Sequence, residues 1–239
     1  MLSLLLAFPW LESVPPLWMQ LLVVAIWLAI VVLSAEILHR LQWGDGELVR
    51  KVVHIGVGNI ILLAWWLQIP TWLGVSASVL FSTIALLSYR IPILPSFNSV
   101  GRKSLGTFFY AVSFGILIAC FWQTQPHFAM LGILVMTWGD GLAALVGRRW
   151  GRHLYKLWDM QKSWEGSLTM GVASFVVSGL LLSIQGGGWL AWAIAGVIAI
   201  AAMGLEAFSK YGIDNLTVPV GSAALAFWLS TIFQIGLLS

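Results

Sequence analysis

Apolar residues run along this chain in eight blocks, and the polar residues collect between them. The blocks lie at about 17–38, 52–68, 71–88, 105–122, 128–147, 167–184, 189–207 and 216–236. A hydrocarbon core of about 30 Å needs roughly 20 residues of helix to cross it. Backbone groups inside hydrocarbon must bond to one another, so helix is the form expected of every block. The weakest boundary separates the second block from the third, where only the turn around Pro70 intervenes. The pattern predicts an all-α, polytopic membrane helix bundle of about eight transmembrane helices. The longest polar stretch, about 148–166, is too short to fold alone, and no internal repeat stands out. Residues 1–239 therefore read as a single integral-membrane domain.

Composition agrees with the pattern. The chain is 60% hydrophobic and 9% charged, with a mean hydropathy of +0.94. A soluble domain carries roughly 25% charged residues, and no water-soluble fold of this size could hide so much apolar surface. Charge adds an orientation. All twelve Lys and Arg fall around alternate connections: Arg40, Arg50 and Lys51 at the first, Arg90, Arg102 and Lys103 at the third, Arg148, Arg149, Arg152, Lys156 and Lys162 at the fifth, and Lys210 at the seventh. With eight helices these connections share one face. The positive-inside rule makes that face cytoplasmic and puts both termini on the non-cytoplasmic side. Cations spread in this way do not form a patch for nucleic acid. No Lys or Arg precedes Arg40, so neither a cleavable signal nor an Arg-rich transit peptide is expected, and the chain reads as bacterial or already mature. The single cysteine, Cys120, excludes an intrachain disulfide and reads as a small buried apolar side chain. The fifteen Trp are expected at membrane interfaces.

Three polar clusters on the charged face are candidates for chemistry. In the fifth connection, Asp140 stands among glycines one to two turns inside a predicted helix, followed by Arg148, Arg149, Arg152, Lys162 and Glu165. An ionised carboxylate at that depth is costly unless it is paired or bound to a cation. Arg148 and Arg152 share a face if the helix continues, and Lys162 and Glu165 stand three apart. One carboxylate with several cations suits a metal-bound nucleotide, since Mg²⁺ bridges one or two carboxylates to phosphate oxygens and Arg or Lys neutralises phosphoryl charge. The residues alone equally allow Asp140 to pair with a loop arginine. The second cluster is Arg50, Lys51 and His54, with helical spacings that place both cations near the imidazole. His54 reads either as a neutral proton acceptor for a hydroxyl or as a hydrogen-bonded interface residue. The third is Asp214-Asn215 with Pro219 shortly after, which reads either as a helix N-cap or as oxygen ligands for a metal or ribose. Glu206 and Lys210, four apart, are expected to form an ion pair. Gly101-Arg102-Lys103-Ser104 lacks P-loop spacing, and its cations suit a phosphate or a lipid headgroup.

The ordered set of motifs resembles the CTP-dependent membrane lipid kinases, which include phytol, farnesol, dolichol and diacylglycerol kinases. The matching residues are Arg50-Lys51-x-x-His54-x-x-x-Gly58, Gly139-Asp140-x-x-Ala143-x-x-x-Gly147-Arg148-x-x-Gly151, Lys162-Ser163-Trp164-Glu165-Gly166-Ser167 and Asp214-Asn215-Leu216-Thr217-Val218-Pro219. They span about 50–236, and the size and compact loops look most like the phytol kinase members. The resemblance implies transfer of the γ-phosphate of CTP, with Mg²⁺, to a bilayer-dissolved isoprenoid alcohol: phytol, or geranylgeraniol or farnesol. For phytol this feeds tocopherol or phylloquinone synthesis. It implies a catalytic site of Asp140, His54, Lys162 and Glu165, with Asp140 and Asp214 on the metal and Arg50, Lys51, Arg148, Arg149, Lys162 and Asn215 on the nucleotide. The membrane would be a bacterial inner membrane or a cyanobacterial plasma or thylakoid membrane, with the site facing the cytoplasm. Residues 140–166 also resemble CDP-diacylglycerol synthases, but the C-terminal His-Gly-Gly and Asp-Arg signature of those enzymes is missing. A cytidylyltransferase making a CDP-lipid and a non-enzymatic transporter or scaffold are the alternatives.

Overall fold

A computed structural model of the chain describes residues 14–42, 46–88, 105–158 and 160–234. Nine helices and one hairpin occur among them: α1 (Leu17–Arg40), α2 (Gly46–Gly58), α3 (Ile60–Trp66), α4 (Thr71–Ser88), α5 (Gly106–Phe121), α6 (Pro126–Trp150), β1 (Leu154–Leu157), β2 (Met160–Ser163), α7 (Trp164–Ile184), α8 (Gly188–Phe208) and α9 (Asp214–Ile232). Asn59 alone separates α2 from α3, and the pair makes one apolar span, Gly46–Trp66. Seven helical segments among the described residues are long and apolar enough to cross a membrane. The eighth, α5, has 16 residues, about 24 Å of helix at 1.5 Å per residue. The protein is a multi-pass membrane protein, and each expected apolar block corresponds to one of these segments.

The middle of the bundle is α6, which packs against α2, α5, α7 and α9. Its first half, from Phe128 to Thr137, is buried without a break. The outer helices turn apolar side chains outward instead, as with Leu33 and Val32 on α1 or Val79 and Leu80 on α4. That distribution is what a lipid solvent permits and water does not. Exposed Trp mark helix ends: Trp18, Trp65, Trp66, Trp72, Trp150, Trp164 and Trp189. Packing of α6 on α7 needs two glycines. A β-carbon on Gly147 would come within 3.3 Å of the Gly166 Cα, and one on Gly166 within 3.1 Å of the Ala143 carbonyl oxygen. Small residues that let helix backbones approach are the usual means of association in lipid.

Several expectations need correction. The helical bundle stands as expected and carries one short hairpin besides: Leu154–Leu157 and Met160–Ser163 pair antiparallel, with Tyr155 opposite Lys162 and Lys156 opposite Gln161. Trp158 takes φ +55° at the turn. Strands of four residues are too short for alternation to stand out in a sequence. Helix α6 ends at Trp150, and Gly151 is extended, so Arg148 and Arg152 share no helical face. Helix α7 starts at Trp164, with the Ser163 side chain accepting from the Gly166 N–H at 3.2 Å. Cys120 is exposed on the outside of α5. Asp214 and Asn215 belong to α9 itself and form no side-chain cap, and Pro219 stands inside that helix. The expectations for Arg90, Arg102 and Lys103 lie outside the described residues.

Candidate active site

The charged residues of three connections meet at one end of the bundle. Helix α2 begins at Gly46, several residues earlier than the apolar block, so Arg50, Lys51 and His54 stand on its inner turns. Helix α6 brings Asp140 opposite them. The Lys51 ammonium donates to Asp140 Oδ2 at 2.5 Å, and His54 Nε2 lies 3.5 Å from the same oxygen. Lys51 is 2% exposed. The pairing satisfies both charges, and a lone Asp140 carboxylate at this depth would carry a desolvation penalty. The resemblance implies a nucleotide contact for Lys51, yet its described partner is the Asp140 carboxylate.

His54 Nε2 faces two oxygen acceptors, Asp140 Oδ2 and, at 3.4 Å, the Met136 carbonyl. In the neutral ring the hydrogen belongs on Nε2, which leaves the lone pair on Nδ1. Arg50 turns to Glu47 rather than to His54. Its guanidinium makes a two-point contact with that carboxylate, Nε to Oε2 at 3.0 Å and Nη2 to Oε1 at 2.5 Å.

A cavity of about 530 Å³ opens beside this cluster, lined by Glu47, Asp140, Arg148, Gln161, Lys162 and Glu206 among others. Arg148 belongs to its wall, whereas Arg149 lays its guanidinium over the Trp150 ring at 5.2 Å. Lys162, at the end of β2, is held by α8: its ammonium donates to Glu206 Oε1 at 2.6 Å and to the Glu206 backbone carbonyl. The carboxylate of Glu206 thus meets Lys162, a partner beyond the expected Lys210, and α8 ends at Phe208, with Ser209 extended. Lys210 Nζ lies 5.8 Å from the Tyr211 ring centroid. Glu165 does not meet Lys162 either. It accepts from the His153 backbone N–H at 3.1 Å and sits 2.7 Å from His153 Nδ1, which ties the start of α7 to the base of the hairpin.

Asp214 is at the first turn of α9, and the charges acting on it are those of Asp140, Lys162, Lys51 and Glu206. The carboxylate therefore belongs to the same end of the bundle. Buried Asn215 donates through Nδ2 to the Gly212 carbonyl at 3.2 Å and to Asp214 Oδ1 at 3.3 Å, fixing the turn before α9. Sequence reasoning missed Glu47, Tyr110 and Thr137, and it noted Glu206 without placing it at the site. Glu47 and Glu206 carried the signal of any carboxylate near a membrane edge, but their partners lie on other elements. Tyr110 and Thr137 read as ordinary core residues.

The fold and this site together define a polytopic membrane protein with a cavity of mixed acidic and basic lining at one end of its helix bundle. No family model matches the chain, and no solved structure matches it. Over 223 residues it is 54% identical to "Phytol kinase" of Synechocystis sp., covering 92% of this chain and 95% of that protein. It is 26% identical over 222 residues to "Phytol kinase 1, chloroplastic" of Arabidopsis thaliana, covering 82% and 71%. It is 27% identical over 210 residues to "Probable phytol kinase, chloroplastic" of Triticum aestivum, covering 77% and 67%. The chain belongs to the phytol kinase family.

Proposed function

We propose that this protein phosphorylates phytol at the cytoplasmic edge of a bacterial membrane, with CTP as phosphoryl donor and Mg²⁺ as cofactor. The observation that carries the reading is that Asp140 and Lys162, from two separate elements, line one cavity, while Lys51 and His54 of a third meet Asp140 beside it. Kinship with phytol kinases supports the acceptor. The cation-rich connections on that face support a cytoplasmic orientation, with both termini on the other side.

The oxygen donors fit a hard divalent cation. Asp140 and Glu206 line the cavity, and Asp214 is within electrostatic reach of both. Mg²⁺ is an ion held by one or two carboxylates, with phosphate oxygens and water completing its shell. Asp140, with Asp214, would hold it. When bound, Mg²⁺ supplies charge neutralisation on the phosphates.

The chain's own groups do the rest. Lys162 and Arg148 offer positive charge to phosphate oxygens in the cavity, and Glu206 aims Lys162. Lys51 and Arg50 keep the carboxylates beside the site paired, with Arg50 near enough to act on Asp140 and Asp214. The alcohol places its hydroxyl beside His54 while its hydrocarbon stays in lipid. Its oxygen attacks the γ-phosphorus, the bond to the β,γ-bridging oxygen breaks, His54 takes the hydroxyl proton, and CDP leaves. Incubation of purified protein with γ-labelled CTP, Mg²⁺ and phytol tests the reading. Label should appear in phytyl phosphate. Label in pyrophosphate, or no CTP turnover with any isoprenoid alcohol, overturns it.

A further inference from the structure

We infer that Tyr110 and Thr137 are positioning residues that hold the His54 imidazole in register with Asp140. The inference rests on the reading of His54 as acceptor of the hydroxyl proton, and it goes beyond that reading by naming what fixes the ring.

Tyr110 stands on α5 and is 7% exposed. Its ring lies parallel to the imidazole within 24°, with centroids 4.2 Å apart. A ring so placed limits rotation about the last side-chain bond of His54, a torsion that is otherwise soft. The Tyr110 ring is itself fixed at its far end, where its hydroxyl meets Thr137 Oγ1 at 2.7 Å. Thr137 Oγ1 also bonds the Ile133 carbonyl at 2.6 Å. A carbonyl only accepts, so the single Thr137 hydrogen goes there, and the Tyr110 hydroxyl donates to Thr137, its nearer acceptor, with the His54 carbonyl 3.5 Å away as a second.

The arrangement is closed on a third side. A β-carbon at Gly58 of α2 would run into both the Thr137 side chain and the Tyr110 hydroxyl. The α2 backbone therefore lies directly against the pair, and Tyr110 has no room to swing away from His54. One stretch of α6 accordingly reaches the imidazole twice, through the Met136 carbonyl and Asp140, and controls its stacking partner through Thr137. Tyr110 need not touch either substrate for this role. Misplacement of a reacting group by about 1 Å costs up to about 100-fold in rate.

The experiment measures kcat and the KM for CTP of purified protein with phytol. Tyr110→Leu should lower kcat about tenfold with KM unchanged. Tyr110→Phe, which keeps the ring, should retain most of kcat, as should Thr137→Ser, which keeps the hydroxyl. Thr137→Val, which leaves the buried Tyr110 hydroxyl without its near acceptor, should lose more than Tyr110→Phe, which removes that hydroxyl, and less than Tyr110→Leu. In a double-mutant cycle, Tyr110→Leu should add no further loss to His54→Ala. An additive loss in that background, or a loss confined to KM, overturns the inference while leaving His54 in place. Unchanged kcat in His54→Ala overturns the reading of His54 itself. Because Tyr110→Phe keeps the ring and Thr137→Ser keeps the hydroxyl at the loss of one methyl, a loss in both equal to that of Tyr110→Leu also counts against positioning by the ring.

Discussion

Two lysine–carboxylate pairs frame the site, and they differ in burial and in what holds them. Lys51 projects from a helix, is 2% exposed and meets Asp140 on a second helix. Lys162 ends a short strand, is 18% exposed and is held by both a carboxylate and a backbone carbonyl of α8. Lys162 lines the cavity, while Lys51 lies behind Asp140. The same ion-pair chemistry thus serves two ends. At Lys51 it neutralises a carboxylate placed where an uncompensated charge would be costly. At Lys162 it aims a positive charge at whatever enters the cavity, since the three-donor ammonium has a hydrogen left for a ligand after two bonds.

Substitutions should separate the two sides. The largest effect is expected of Asp140→Asn, which leaves shape intact and removes the charge that pairs with Lys51 and would hold Mg²⁺: kcat should fall by about 1,000-fold or more. His54→Ala should cost less, about 100-fold. Single-turnover transfer from γ-labelled CTP measures both, and equal mild losses would undo the division of roles between them. Next comes stability. Lys51→Met strands the buried Asp140 charge and should destabilise the protein by about 3 kcal/mol, read from thermal unfolding in detergent. Lys162→Met should destabilise less and instead raise the KM for CTP about tenfold, because its loss falls on a cavity open to water. If Lys51→Met proves the more damaging to KM, the contrast between the pairs is reversed. The smallest effect belongs to Glu165→Gln, whose partner His153 is 81% exposed. Activity should change less than about fivefold, as for an exposed pair.

How far the sequence could be read depended on the kind of signal. Eight apolar blocks and the alternating placement of twelve cations are one-dimensional patterns; seven blocks became segments long enough to span, and the eighth became the 16-residue α5. Asp140 stood out because a carboxylate inside an apolar block needs a reason. The hairpin at 154–163 was illegible, since four-residue strands carry too few alternating positions. Glu165 looked like a partner for Lys162 by spacing, yet the chain turns at Ser163 and sends the two side chains to His153 and Glu206 respectively. Tyr110 gave no signal, because an aromatic residue in a membrane helix is expected for packing alone.

What the amino-acid order determined by itself is the run of apolar blocks and the collection of charge around alternate connections, because hydrophobic transfer and helix formation act residue by residue along the chain. Which acid meets which base was decided only in three dimensions. Lys51 and Asp140 are 89 residues apart and Lys162 and Glu206 are 44 apart. Such partners meet only after α2, α6, α8 and the hairpin have packed, and a charge in a low-dielectric interior is stabilised by whichever neighbour that packing brings within about 4 Å.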